Sequence, residues 1–336
     1  MAVVERWLWR QWTRRGPFAA AMFPLSVLYA GVSAWKRSRL EVAQRNVFLP
    51  VKAVIVVGNL TVGGSGKTPM TAWLAQLLRD AGYRPGIVSR GYGRRSSASL
   101  LVGPGADPAV VGDEPIMLAR RTTVPVWVDR DRVRAVRALA EEQGVDVVIS
   151  DDGLQHHRLP RDVSILMVDG IRRFGNGLCL PAGPLREPRA TAARADFVVT
   201  TGGTPLPGEY GMTLVPYELL RRVDRPAATR PVREVIGRPA HAVAGIADPE
   251  RFFSALEEAG VEVIRHPFPD HHRFRGRDIL FADEFPVLMT EKDAVKCRDL
   301  ADERHWYWPV SARPDAAFEK ALLERLETSI RLKYLG

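Results

Sequence analysis

The chain has 336 residues and a mass of 37.3 kDa, more than one ordinary core holds, so two domains are expected at roughly 100–200 residues each. Hydrophobic residues make up 46% and charged residues 26%, and the 28 glycines and 25 prolines follow no period, which excludes a disordered, collagenous or low-complexity chain. Two cysteines, Cys179 and Cys297, exclude a disulfide framework and a four-cysteine zinc site, while a net charge of +9 and a pI near 9.9 point to a polyanion as partner: nucleic acid, a phosphorylated substrate or an anionic membrane.

Phe18 to Trp35 carries no charge, with Arg6, Arg10, Arg14 and Arg15 before it and Lys36, Arg37 and Arg39 after it. The run is at the short edge of the ~20 residues a span needs and contains Pro24, Gly31 and Ser33. Val32-Ser33-Ala34 resembles a signal cleavage site, but the basic leader is long and the chain beyond looks like a user of cytoplasmic nucleotide. Trp7, Trp9 and Trp12 among arginines suit an interfacial helix on an anionic membrane surface, and residues 1–45 are read as that segment. A buried helix with snorkelling arginine stems is the alternative.

Val51 to Val57 is a short β-branched run typical of a buried parallel strand. Behind it stand Gly58-Asn59-Leu60-Thr61-Val62-Gly63-Gly64-Ser65-Gly66-Lys67-Thr68, then a helical pattern from Met70 to Ala81. Strand, glycine-rich loop, Gly-Lys-Thr and helix is the setting of a phosphate-binding loop, with Thr61 in place of the usual first glycine. Glycines let backbone N–H groups of Thr61, Val62, Gly63, Gly64, Ser65, Gly66, Lys67 and Thr68 converge on phosphate oxygens, and the helix N-terminus adds positive potential. Lys67 reaches the β- and γ-phosphates of ATP, and the Thr68 hydroxyl ligates Mg²⁺. The apolar run Val147 to Ile149 ends at Asp151 and Asp152, which places carboxylates at the sheet edge as further magnesium ligands.

Strand-like runs recur at Val51–Val57, Gly86–Ser89, Val124–Val128, Val145–Ile149, Ser164–Val168 and Phe197–Thr200, with helical patterns between them, notably Asp131–Gln143. The alternation predicts an α/β fold of the P-loop kind over residues 46–205: a mostly parallel sheet with helices on both faces and ligands at the carboxyl ends of the strands. Residues 206–238, rich in Pro, Gly and Arg, read as a connector with short antiparallel strands near Met212–Val215 and Val232–Ile236. A smaller α/β domain follows over residues 239–336, with strands at Ala242–Ile246, Val261–His266 and Pro286–Thr290 and helices at Pro249–Ala259 and Ala316–Leu332.

Four further stretches stand in order behind the phosphate loop: Ser89-Arg90-Gly91-Tyr92-Gly93-Arg94, Gly112-Asp113-Glu114-Pro115, Asp151-Asp152-Gly153-Leu154-Gln155-His156-His157 and Leu180-Pro181-Ala182-Gly183-Pro184-Leu185-Arg186-Glu187-Pro188. As an ordered set they resemble the tetraacyldisaccharide 4′-kinase family, the lipid A 4′-kinases of Gram-negative bacteria, over nearly the whole chain. The resemblance implies transfer of the γ-phosphate of ATP to the 4′-hydroxyl of an acylated disaccharide 1-phosphate, giving lipid IVA at the cytoplasmic face of the inner membrane.

The family's general base matches Asp113, which reads equally as a helix N-cap. His271, with His272 beside it, is the candidate that orients Asp113, brought to it when the second domain closes over the first. Arg186 matches a transition-state cation and Glu187 a further aid to magnesium, with a structural salt bridge as the alternative. Arg90 and Arg94, around the Gly-Tyr-Gly turn, are placed to clamp the sugar phosphate or the nucleotide, and read as well as solvated arginines. Asp129 to Arg132 read as a charged cap, and His156 and His157 do not read as metal ligands.

The chain is expected to work as a monomer without nucleic acid, because its basic cluster flanks an apolar helix and not a spread of aromatics. A P-loop ATPase or GTPase switch, or a metallochaperone with two α/β lobes, is the rival reading; Thr290-Glu291-Lys292-Asp293 superficially resembles a guanine-reading motif at the wrong spacing.

Overall fold

The computed structural model describes residues 2–44 and 46–335, with the side chains of residues 2–6, 334 and 335 outside the description, Arg6 of the basic flank among them. Helices α1 (Ala2–Trp12) and α2 (Pro17–Gln44) open the chain. The first lobe then runs β1 (Ala53–Gly58), α3 (Lys67–Asp80), β2 (Pro85–Ser89), β3 (Leu100–Leu101), α4 (Pro108–Val111), α5 (Asp113–Arg121), β4 (Val126–Val128), α6 (Arg132–Gln143), β5 (Val147–Ser150), β6 (Val163–Asp169), β7 (Phe197–Thr201) and β8 (Tyr210–Pro216). The second lobe holds β9 (Leu219–Arg222), β10 (Thr229–Pro231), β11 (Pro239–Ala244), α7 (Pro249–Glu258), β12 (Glu262–Pro267), α8 (Gly276–Ile279), β13 (Val287–Thr290), α9 (Glu291–Cys297) and β14 (His305–Trp308). The chain closes with β15 (Val310–Pro314) and α10 (Ala316–Leu335).

Nine strands form one sheet in the order β15-β8-β7-β6-β1-β5-β2-β4-β3, parallel from β8 to β4 and edged by antiparallel β15 and β3. β1 is central and wholly buried, which is why it is β-branched at almost every position. Its Ile55 and Val57 enter one core with Met70, Leu74 and Leu78 of α3, whereas Val54 and Val56 enter the other with Val136 and Leu139 of α6. Six strands form the second sheet, β10-β9-β14-β13-β11-β12, packed against Phe253 and Leu256 of α7 on one face and Ile279 and Cys297 on the other.

Two boundaries differ from the sequence reading. Met212–Val215 lies within β8, which extends the first sheet, and Val232–Glu234 is a 3₁₀ turn, so the segment read as a connector supplies strands to both sheets. Nor does the second unit hold everything from residue 239 onward. β15 pairs with β8, and Phe318, Leu322 and Leu326 of α10, spaced i, i+4, i+8, are fully buried in the core of the first lobe. The chain thus crosses between lobes twice, and α10 packs beside β1 and β6.

α2 lies along the first lobe. Ser26 Oγ donates to the Cys179 carbonyl (2.7 Å), Arg37 to Glu187 (3.1 Å) and Gln44 to the Leu159 carbonyl (2.8 Å), so one face is fixed along the whole helix. The opposite face exposes Phe23, Leu25, Val27, Leu28, Val32 and Trp35. Among the described residues α2 is the helix long and apolar enough, by length and composition, to cross a membrane.

Candidate active site

The loop between β1 and α3 stands at the carboxyl edge of the parallel sheet. Gly66 takes φ 79°, and a Cβ there would lie 2.9 Å from Met212 Cε and 3.0 Å from Thr201 Oγ1, so only glycine allows the tight entry into α3. Thr201 Oγ1 donates to the Ser65 carbonyl (3.0 Å), and the Val62 N–H donates to the Pro184 carbonyl (3.0 Å). Lys67 Nζ is 3.2 Å from Asn59 Oδ1 and 3.7 Å from Asp152 Oδ1; Thr68 follows it in the first turn of α3, half-buried. The Ser65 hydroxyl is buried without a protein partner.

β5 delivers the acid pair beside this loop. Asp151 is fully buried, accepts from Thr71 Oγ1 (3.2 Å), and its carboxyl is pushed up to about 7 by burial and by the neighbouring Glu114 and Asp152. Asp152 is in the left-handed region at φ 48°. Burial works to raise its carboxyl, but Lys67 and Arg186 outweigh that and hold it below the usual range. Arg186 NH1 is 3.1 Å from Asp152 Oδ2 and 3.4 Å from Gln155 Oε1. Thr68, Asp151 and Asp152 offer hard oxygen donors, a set that suits Mg²⁺, which takes one or two carboxylates and completes its shell with phosphate and water. Among the described residues no three His, Cys, Asp or Glu side chains form a metal-holding group of their own.

Across from the loop runs the seam between the lobes. Asp113 heads α5 and stands with its Oδ2 3.6 Å from Nδ1 of His271, which lies in the loop after β12 at φ 58°. The Gly-Asp-Glu-Pro turn reaches this place because two glycine backbones meet. A Cβ on Gly91 would stand 2.5 Å from the Val111 carbonyl, and one on Gly112 would stand 3.0 Å from the Gly91 Cα; both glycines have positive φ. The Tyr92 ring then packs 4.9 Å from the His271 ring. Lys292 of α9 ties the seam: its Nζ is 3.2 Å from Glu114 Oε1 and 3.1 Å from Asp270 Oδ1. Arg121 pairs with Glu291 at 3.3 Å, and Arg172 pairs with Asp248 at 2.8 Å while its guanidinium lies over Trp9 of α1.

Thus the structure brings Lys67, Thr68, Asp151, Asp152 and Arg186 together on one side, and Asp113 and His271 on the other. His272 is turned away to Asp278 (3.2 Å), and His271 is the histidine that stands beside Asp113. Glu187 meets the salt-bridge alternative: its oxygens stand 3.1 Å from His157 and 3.1 Å from Arg37, and through Arg37 it anchors α2. The chain bends at these two residues, so Arg186 meets Asp152 beside the loop while Glu187 meets Arg37 of α2. Arg94 corrects the sequence reading, because its guanidinium is buried in its own loop and donates to the Ala98 carbonyl (2.7 Å). Arg90 remains exposed at the end of β2. Asp131 caps α6, as the charged stretch suggests, accepting from the Val133 N–H at 3.0 Å.

Sequence reasoning misses Lys292, Asn59 and the Trp9–Arg172–Asp248 contact. Thr290 and Asp293 carry a visible helix-capping signal, but nothing local marks Lys292 between them as a bridge.

A parallel sheet, a glycine-rich loop closed by Gly-Lys-Thr and an acid pair on the next strand define a P-loop nucleotide-binding α/β protein. The sequence matches the profile of the LpxK family, Tetraacyldisaccharide-1-P 4′-kinase, over residues 18–327, and the chain belongs to that family. It is 51% identical to a tetraacyldisaccharide 4′-kinase of Alkalilimnicola ehrlichii over 95% of both chains, and 46% identical to one of Methylobacillus flagellatus over 96% of both. The fold is similar to the crystal structure of LpxK from Aquifex aeolicus in complex with ATP, with a TM-score of 0.76 at 30% identity, covering 93% of this chain and 99% of that one. These relationships do not favour a nucleotide switch or a metallochaperone.

Proposed function

We propose that this chain transfers the γ-phosphoryl group of ATP to the 4′-hydroxyl of tetraacyldisaccharide 1-phosphate, giving lipid IVA. The observation that carries the reading is the juxtaposition of Lys67 and the acid pair with Asp113 and His271 across the seam, set beside the family relationship. The amides of residues 61–68 hold the phosphates, and Lys67 follows the charge of the β- and γ-phosphates. Thr68, Asp151 and Asp152 would hold Mg²⁺, which supplies charge neutralisation at the phosphates when bound. Asp113 takes the proton as the 4′-O–H bond breaks and the oxygen bonds to the γ-phosphorus; the bond to the β-phosphate oxygen breaks with its electron pair leaving on ADP. Lys67 and Arg186, both held on Asp152 here, are placed to turn to the phosphates as charge develops. Exposed Arg90 is within the same edge of the sheet and is the candidate for the acceptor's own phosphate.

The acceptor is a lipid, and the exposed face of α2 supports a site on the membrane surface. The helix is bonded to the lobe along its inner side, so its outer apolar stripe enters the bilayer boundary while the lobe stays at the cytoplasmic face of the inner membrane of a Gram-negative cell. Both sides of the seam come from one chain, which supports a monomer, and nothing in the reading requires nucleic acid. The test is incubation with γ-labelled ATP and the disaccharide monophosphate in vesicles. Label is expected in the lipid phase, and lost when Leu25, Leu28, Val32 and Trp35 are replaced together by Ser; label released only as inorganic phosphate would overturn the proposal.

A further inference from the structure

Lys292 does more than join two lobes. Its ammonium has three hydrogens and meets three acceptors from the two sides of the seam: Glu114 Oε1 at 3.2 Å, Asp270 Oδ1 at 3.1 Å and His271 Nε2 at 3.4 Å. It holds the residue after Asp113 and the residue before His271, and it holds His271 itself. Glu114 and Asp270 keep it charged, their pull outweighing the burial that opposes it, so it is a permanent donor. A neutral imidazole carries one N–H. A hydrogen on Nε2 would point toward the Lys292 ammonium and leave the Nδ1 lone pair facing the Asp113 carboxylate, two repulsions at once. A hydrogen on Nδ1 answers both neighbours. Only Asp270 Oδ2 favours the other arrangement, and at 3.8 Å from Nε2 it is farther away than the Lys292 ammonium at 3.4 Å; Lys292 and the His271 N–H hold the other oxygen, Oδ1, of the same carboxylate.

We propose that Lys292 is a positioning residue that fixes His271 as the Nδ1–H tautomer, so that His271 serves Asp113 as a hydrogen-bond donor and takes no proton from the substrate. The inference deepens the reading of Asp113 as base and rests on it: with Nδ1 already protonated and Nε2 held by the ammonium, the proton of the 4′-hydroxyl ends on Asp113 alone. The groups that face the imidazole are Asp113 from α5, Tyr92 from the loop after β2, Lys292 from α9 and Asp270 from its own loop, with Glu114 behind Lys292.

The test is nitrogen NMR of the full chain labelled with ¹⁵N-histidine, with the His271 signals assigned by their loss in His271→Gln. The expected result is a ring that carries its proton at Nδ1 and presents Nε2 as the acceptor. A ring protonated at Nε2 in the parent protein overturns the proposal. Lys292→Met removes the donor and keeps the stem. It is expected to release the tautomer, to add a histidine-like step to the kcat–pH profile, and to lower kcat roughly 10- to 100-fold with KM for ATP nearly unchanged. Glu114→Gln, which weakens the same tie but leaves the ammonium, is expected to keep the Nδ1–H tautomer. If Lys292→Met leaves tautomer and profile as in the parent, the residue is only a tie between lobes. Failure here is separable from failure of the base assignment, because the tautomer is read without turnover, whereas an active Asp113→Asn enzyme would remove the base and leave the tautomer standing.

Discussion

The phosphate loop and the seam between the lobes are built in opposite ways. Gly58 to Thr68 takes its shape chiefly from one strand, one helix and the glycines between them, with Pro184 and Thr201 bonded to it from outside, and its Lys67 meets Asn59 eight residues away. The seam needs Asp113, His271 and Lys292 from three distant places, with Lys292 joined to Glu114 across 178 positions of sequence. The first can form when β1 and α3 pack. The second exists only after both sheets are complete and α5 meets α9. Binding of nucleotide and the chemistry done on it thus rest on structures of different origin, and substitutions in the two regions should fail differently.

The largest effect belongs to the loop. Lys67→Ala is expected to lower transfer by roughly 10³-fold or more, because the cation nearest the transferring phosphoryl is gone; calorimetry should find ATP bound more weakly, and unaltered transfer would remove the loop from the site. Next comes the seam. Asp113→Asn should slow transfer by roughly 10²–10⁴-fold while leaving ATP affinity near that of the parent, a split measurable by combining kinetics with equilibrium nucleotide binding. Equal losses of affinity in both variants would erase the contrast drawn between the regions.

A third prediction concerns pH. Burial, aided by Arg132, pushes the His156 imidazole down to about 4, and its Nε2 is buried without a partner, so the folded state keeps the ring neutral. A depressed histidine gives stability that is complete above its unfolded value near 6.5 and is lost as pH falls through about 4, of order 3 kcal/mol. Urea unfolding at pH 7 and at pH 4.5 should show that fall, and His156→Gln should flatten it; an equal fall in the variant would place the acid sensitivity elsewhere. The smallest effect is at the rim of the seam. Arg172–Asp248 is partly exposed, so Asp248→Asn should cost about 0.2–1 kcal/mol and raise KM for ATP less than about fivefold, with kcat retained. A large fall in kcat would make that pair part of the chemistry.

The misreadings have physical causes. Glu187 stands beside Arg186 in sequence, but the chain bends there, and the Glu187 carboxylate is drawn to His157 and Arg37. Arg94 sits in a glycine-rich turn that looks exposed, yet the left-handed Gly91 and Gly93 fold the turn back over it. The break between lobes at residue 239 follows the change in composition, while β15 pairs with β8 and the apolar stripe of α10 is buried in the core of the first lobe.

What the sequence determined alone is everything set by period and neighbour: the buried parallel strand of Val54 to Val57, the phosphate loop and its lysine, the acid pair at the strand end and the apolar stripe of α2. These depend on backbone geometry within a few residues. Tertiary structure alone decided that His271 and not His272 faces Asp113, that Glu187 belongs to α2, and that Lys292 stands between two carboxylates and an imidazole. Those outcomes depend on which surfaces meet, and contacts such as Arg37–Glu187, 150 residues apart, and Glu114–Lys292, 178 apart, leave no local trace because each partner is, in its own segment, an ordinary charged side chain.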